Sequence, residues 1–224
     1  MELTTEATAA RTFWTYWSAS ATSSVGSAVG AVALPLTALL VLDATPVEMG
    51  LIAASAYAAW LVIGLPAGVI AQRLPLRRLQ VGMDLVRALA VASIPLAWWL
   101  DRLTLTHLVV TALITSFANV LFDVANSTFL PSVVPREQLQ ARNSLMSGTH
   151  AASQLGGPSL GGVFVQLLGA VPTLLLNSLS YLASAVLLGR LPERTAPTTD
   201  RPPMRELIRE GWHYVTRHPV MGPC

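Results

Sequence analysis

Apolar residues along this chain come in long blocks separated by short polar knots. The first block covers residues 13–42, with Trp14, Tyr16 and Trp17 near its start, where amphipathic rings anchor at a bilayer interface. Asp43, Pro46 and Glu48 interrupt the pattern, a second block follows at 49–71, and Gln72, Arg73, Arg77 and Arg78 close it. Later blocks cover 79–100, ending on Trp98 and Trp99, then 105–130, 143–168 and 172–188. Each approaches the ~20 residues that a helix needs to cross a ~30 Å hydrocarbon layer. The pattern predicts an all-α membrane protein with six transmembrane helices.

Beyond Leu191 the character changes. Residues 191–203 are rich in proline, threonine and charge and read as a cytoplasmic linker. Residues 204–218 predict an amphipathic helix with Leu207, Ile208, Trp212 and Val215 on one face. Residues 219–224 read as the clipped start of a further span. With residues 1–12 as a cytoplasmic amino-terminal segment, the six-helix unit occupies 13–190.

Composition sharpens this reading. Of 224 residues, 53% are hydrophobic and 12% charged. Soluble domains carry about 25% charged residues. The mean hydropathy of +0.55 agrees. All 14 basic residues are arginine, a mark of a GC-rich genome. A pI near 9.1 raises the question of nucleic acid, but the arginines sit in connections between apolar blocks, which is a topology signal. One side of the predicted bundle carries Arg11, Arg73, Arg77, Arg78, Arg136, Arg142, Arg190 and Arg194; the other carries Arg102. That bias predicts a multi-pass protein of the plasma (inner) membrane with both termini cytoplasmic.

Several chemistries are excluded. Cys224 is the single cysteine, so the chain holds no internal disulfide and no thiolate metal cluster. Without lysine there is no phosphate-binding loop of the Walker type. Residues 157–161 spell G-x-S-x-G, but within an apolar helix and not at a strand-to-helix turn. His107, His150, His213 and His218 lack metal-ligand spacing. No enzyme, cofactor or metal is expected.

Polar residues inside the blocks are ordered. Ser20, Ser23, Ser24 and Ser27 share one helical face, as do Ser116, Asn119, Asp123 and Asn126, and again Asn143, Ser147, His150 and Gln154. Three such stripes cannot all face lipid. They either hydrogen-bond helices together or line a path for a solute. In the second case Ser20, Ser24, Ser27, Asn119, Asn126, His150 and Gln154 are the cavity-lining candidates. Asp84 and Arg87, three apart, are placed to pair on one helix. Asp123 lies near the arginine-rich end of its span, where pairing with Arg73 or Arg77 is expected. Glycine pairs at 26/30, 64/68 and 157/161 predict close helix packing, and Pro158 a bend.

Three segments carry a resemblance to the major facilitator superfamily, in particular its bacterial proton-coupled exporters of the enterobactin-exporter and macrolide-efflux type. Gly68 through Gln72 and Arg73 to Arg77 and Arg78 resembles the loop between the second and third helices. Phe122-Asp123 through Asn126, Leu130-Pro131 and Pro135 to Asn143 resembles the fourth helix and its exit. Gly157, Pro158, Gly161 and Gly162 are similar to the fifth-helix antiporter motif. Glu210 to Pro219 resembles the helix preceding the seventh span.

The resemblance implies one half of a twelve-helix fold, with the cavity between two six-helix halves. It also implies a secondary active transporter performing proton-coupled efflux of drugs, siderophores or similar small molecules. The partners would be the lipid bilayer, the small-molecule substrate, protons and a carboxyl-terminal six-helix half; nucleic acid is not among them. Gln72, Arg73, Arg77, Arg78 and Asp123 would form a gating charge relay. Gln72 departs from the aspartate usual there, which weakens the gating contact. The alternative is a non-transporting membrane fragment or interaction partner.

Overall fold

The structure, a computed structural model, describes residues 2–192. It contains six helices among the described residues: α1 Glu2–Val41, α2 Pro46–Arg73, α3 Leu76–Trp99, α4 Leu105–Val133, α5 Arg136–Leu168 and α6 Ala170–Gly189. Residues 2–12, expected as a separate segment, continue α1 without a break. The amphipathic helix at 204–218, the segment at 219–224 and nearly all of the linker lie outside the described residues.

The connections are short, and two of the helices start at side-chain caps. Thr45 accepts from the Glu48 amide while Glu48 accepts from the Thr45 amide, a capping box that starts α2. Thr104 accepts from His107 to start α4. Asp43 and Asp101 turn the chain before these caps with φ of 50° and 53°, a region that Asp tolerates better than most residues. Between α5 and α6 stands Gly169 alone, at φ 93°, which a side chain would strain.

Five helices are long and apolar enough to cross a bilayer: Ala10–Val41, Pro46–Gly64, Leu76–Trp99, Leu105–Pro131 and Ala170–Gly189. The expected sixth span, 143–168, falls within α5, which does not meet that measure among the described residues. Its 33 residues carry too many Ser, Gln, Gly and His among the apolar ones.

The packing order is an open arc. α2 packs on α4, α4 on α3, α3 on α6, α6 on α1, and α1 on α5. α2 and α5 therefore end the arc. Exchanging the first three helices for the last three leaves this order unchanged, and α1 and α4 run in opposite directions. That is the pattern of an inverted repeat within the six-helix unit. One apolar cluster, with Phe13, Tyr16, Phe129 and Leu188, fills the end bearing the start of α1; another, with Ile52, Ile94, Leu108 and Leu174, fills the opposite end.

Two of the three glycine pairs sit at helix crossings. A methyl on Gly26 would stand 1.7 Å from Ser180 Oγ, and one on Gly157 would stand 2.2 Å from Ala28 Cβ. Close approach of α1 to α6 and to α5 requires glycine there. Gly64 and Gly68 do not match the expectation of close packing: a methyl at either meets nothing within 4 Å.

Candidate functional site

Midway along α3, between the two apolar clusters, lies a charged centre. Asp84 and Arg87 form an ion pair one helical turn apart, as their spacing predicts. Asp84 is 0% exposed and Arg87 2%. A lone charge at this depth costs at least about 2.5–3.5 kcal/mol, so neighbouring helices supply further partners. From α1, the Ser23 hydroxyl donates to Asp84 Oδ1 at 3.3 Å and accepts from Arg87 Nη2 at 3.2 Å. From α4, Asn119 Oδ1 accepts from Arg87 Nη1 at 2.7 Å. The guanidinium carbon lies 4.3 Å from the Phe122 ring centre and 4.5 Å from that of Tyr181, so α4 and α6 each offer an aromatic face. Four helices thus meet on one arginine.

A second polar chain lies one to two turns nearer the start of α1. Gln80 donates to Tyr16 Oη at 3.4 Å, and Tyr16 donates to the Asn126 carbonyl oxygen at 3.0 Å and to its side-chain oxygen. Trp17 Nε1 donates to Thr149 Oγ1 at 2.9 Å, tying α1 to α5.

On the opposite side of the charged centre is a cavity of about 370 Å³, walled mainly by α1, α2, α4 and α6. Ser27, Asn119, Asn177 and Tyr181 are among its polar lining residues, and Leu34, Ile52 and Val91 among its apolar ones. Asn119 and Tyr181 touch both the cavity and Arg87. A solute in the cavity would therefore lie one side chain away from the ion pair.

The sequence-predicted residues divide into three groups. Ser27 and Asn119 line the cavity, and Ser27 hydrogen-bonds Tyr181 Oη at 2.9 Å. Ser20 is buried, Ser24 is half-buried and Asn126 is engaged by Tyr16. His150 and Gln154 are exposed on α5, 3.4 Å apart through Nε2 of each, and Asn143 and Ser147 are exposed on the same helix.

The residues expected to form a relay at the arginine-rich end are only partly described. Arg77 donates from Nη1 to the Leu191 carbonyl. The exposed Asp123 carboxylate lies within electrostatic reach of Arg87 on α3 and His150 on α5. Arg78 is exposed, and the side chains of Gln72 and Arg73 lie outside the described ones. In the fifth-helix motif, Gly157 and Gly161 press on α1 at Ala28 and Val29, whereas Pro158 is exposed and Gly162 meets open space.

Gln80, Asn177, Tyr181 and Ser184 were not singled out by sequence. A signal existed: Asn177, Tyr181 and Ser184 recur at offsets of four and seven, the same periodicity as the other stripes.

Comparison with known proteins agrees with this architecture. The family described as transmembrane secretion effector matches residues 6–222. The multidrug efflux pump Tap of Mycolicibacterium fortuitum is 26% identical over 212 residues, which are 91% of this chain and 52% of that protein. The uncharacterized MFS-type transporter YfiS of Bacillus subtilis (strain 168) is 25% identical over 211 residues, 89% of this chain and 48% of that protein. The chain spans about half the length of the curated relatives it matches. No solved structure matches. A multi-pass helical unit matched over nearly its whole length in this way belongs to the transmembrane secretion effector family of the major facilitator superfamily, a family of membrane transporters and not of enzymes.

Proposed function

We propose that the chain is the amino-terminal half of a secondary active exporter that uses a proton gradient to expel small amphipathic molecules. The observation that carries this reading is the face of α5. Asn143, Ser147, His150 and Gln154 are all exposed on a helix that ends the arc. Lipid is a poor neighbour for four such groups, since each unsatisfied polar group in hydrocarbon costs several kcal/mol. A second six-helix half, closing the arc across α2 and α5, gives them a water-filled cavity to face.

Residues 13–190 are then the transmembrane unit, both termini face the cytoplasm, and 191–218 carry the chain toward that second half. Asp123 and His150, exposed across from one another on α4 and α5, are the titratable groups on the cavity side. The buried Asp84–Arg87 pair is the rigid floor behind them. Similarity to a protein described as a multidrug efflux pump supports a broad substrate range.

Proteoliposomes test the reading. The chain together with a carboxyl-terminal half should take up ethidium when a proton gradient is imposed, and the chain alone should match empty liposomes. Gradient-driven uptake by the chain alone would overturn the half-transporter reading, and none in either preparation would overturn transport.

A further inference from the structure

Arg142, half-buried on α5, is a cation without a counter-charge. Its guanidinium carbon lies 4.1 Å from the Phe13 ring centre and 5.4 Å from that of Trp14, and it donates to the neutral Gln138 side chain at 3.4 Å. No carboxylate pairs with it among the described residues. Arg11 is exposed one turn before Trp14 on α1. Trp14 itself is 48% exposed near the start of the apolar span of α1, the depth at which lipid headgroups lie.

Helical phase puts Arg142 on the lipid side of α5. Leu160 and Leu167 follow it at offsets of 18 and 25, five and nearly seven whole turns, and both are exposed. Asn143, Ser147 and His150 lie about 80–140° further around the helix. A groove of about 370 Å³ continues the seam between α1 and α5 deeper into the membrane. Ala21 and Val25 line it, seven and eleven residues on from Trp14 and so on the same face of α1. Phe164 of α5 and Leu176 of α6 complete its apolar wall, and no lining residue is charged. At 1.5 Å per residue Val25 stands about 16 Å below Trp14, close to the ~15 Å hydrocarbon depth of one leaflet.

We propose that Arg142 and this groove form a site for one anionic phospholipid of the leaflet in which α1 begins. Arg142, steadied on the Phe13 ring, donates its N–H groups to the phosphodiester, whose oxygens match the guanidinium fork. Arg11 adds a second positive charge at the same level. One acyl chain runs down the α1–α5 seam and ends in the groove. Charge sets the preference, because the choline of phosphatidylcholine offsets its own phosphate and the glycerol of phosphatidylglycerol does not. The site needs neither a proton gradient nor a second half.

The test titrates the full chain in neutral detergent with phosphatidylglycerol and phosphatidylcholine of equal chain length, counting bound lipid by native mass spectrometry. Phosphatidylglycerol should bind about tenfold more tightly. Arg142→Gln should weaken it about fivefold, whereas Arg102→Gln, at the opposite end of the bundle, should change nothing. Val25→Trp, which fills the groove and leaves Arg142 intact, should weaken both long-chain lipids. Dihexanoyl phosphatidylglycerol, whose tails stop short of the groove, should be indifferent to Val25→Trp. Millimolar inorganic phosphate should not displace the long-chain lipid.

Equal affinity for the two headgroups, or equal losses from Arg142→Gln and Arg102→Gln, would overturn the headgroup assignment. Long-chain binding untouched by Val25→Trp would overturn the acyl site, and displacement by inorganic phosphate would mean an anion site without a lipid. Should Arg142→Gln fail to remain monodisperse, the headgroup preference of the unchanged chain and the response to Val25→Trp decide the matter. Each of these results leaves ethidium transport by the assembled protein standing, and failed transport leaves lipid binding standing.

Discussion

Arg87 donates from Nη1 to Asn119 Oδ1 across 2.7 Å, so the guanidinium that neutralises Asp84 is also the group that binds α3 to α4. Its second terminal nitrogen reaches Asp84 and Ser23. Loss of this one side chain would strip partners from three helices. Buried pairs of this kind contribute little over a well-packed apolar replacement, but breaking one is expensive, about 3–5 kcal/mol.

Arg87→Met should therefore lower the thermal midpoint in detergent sharply, and Asp84→Asn should do so as well. The double variant should regain much of the loss, since no uncompensated charge remains. Additive losses in the double-mutant cycle would show that the pair is not the unit of stability.

The glycines give a contrast within one type of substitution. Gly157→Ala forces a methyl to 2.2 Å from Ala28 Cβ and should cost on the order of 1–3 kcal/mol by overpacking. Gly64→Ala meets nothing within 4 Å and should be neutral or stabilise by up to about 1 kcal/mol through helix propensity. Thermal unfolding of the two variants side by side checks this. Equal effects would contradict the packing of α5 on α1.

Asp123 gives a third expectation. Its carboxylate is exposed, with Arg87 and His150 as its electrostatic neighbours, while Arg77 engages Leu191. Asp123→Asn should change stability by less than about 1 kcal/mol, the scale of an exposed ion pair. Its effect and that of Arg77→Gln should add to within about 0.5 kcal/mol. A larger coupling energy would restore the helix-end relay. In the assembled transporter, Asp123→Asn should abolish gradient-driven ethidium uptake while leaving dye binding measurable.

Topology supplies the fourth. The arginine bias of the sequence, eight in the connections expected on one side against Arg102 on the other, predicts that Cys224 is cytoplasmic and a cysteine at position 104 external. Membrane-impermeant maleimide should label Thr104→Cys in intact cells and reach Cys224 only after lysis. Labelling of Cys224 without lysis would invert the molecule.

Much of the fold was legible because bilayer thickness imposes a length that apolar blocks must match. α3 and α4 begin within three residues of their expected starts for this reason. The Asp84–Arg87 pair was legible because helical geometry alone brings those positions together. What could not be read was which neighbour each face meets. Gly26/Gly30 and Gly64/Gly68 have the same spacing, yet one pair abuts Ser180 and Asn177 while the other faces open space. Tyr16 looked like an interfacial anchor but is fully buried, holding Asn126 from 110 positions away. For Asp123, likewise, position along the membrane normal suggested the helix-end arginines, while direction around the helix also brings Arg87 and His150 within reach.

The two ends of the helical arc differ in chemistry, and this bears on self-association. α2 exposes Tyr57, Trp60, Leu61 and Val62, whereas α5 exposes Ser147, His150 and Gln154 in its first half and Leu155, Val163 and Leu167 in its second. A two-fold axis along the membrane normal would set the α2 of one copy beside the α5 of another, twice over. The apolar half of α5 suits that neighbour and the polar half does not. Such a homodimer would be matched over only part of each seam.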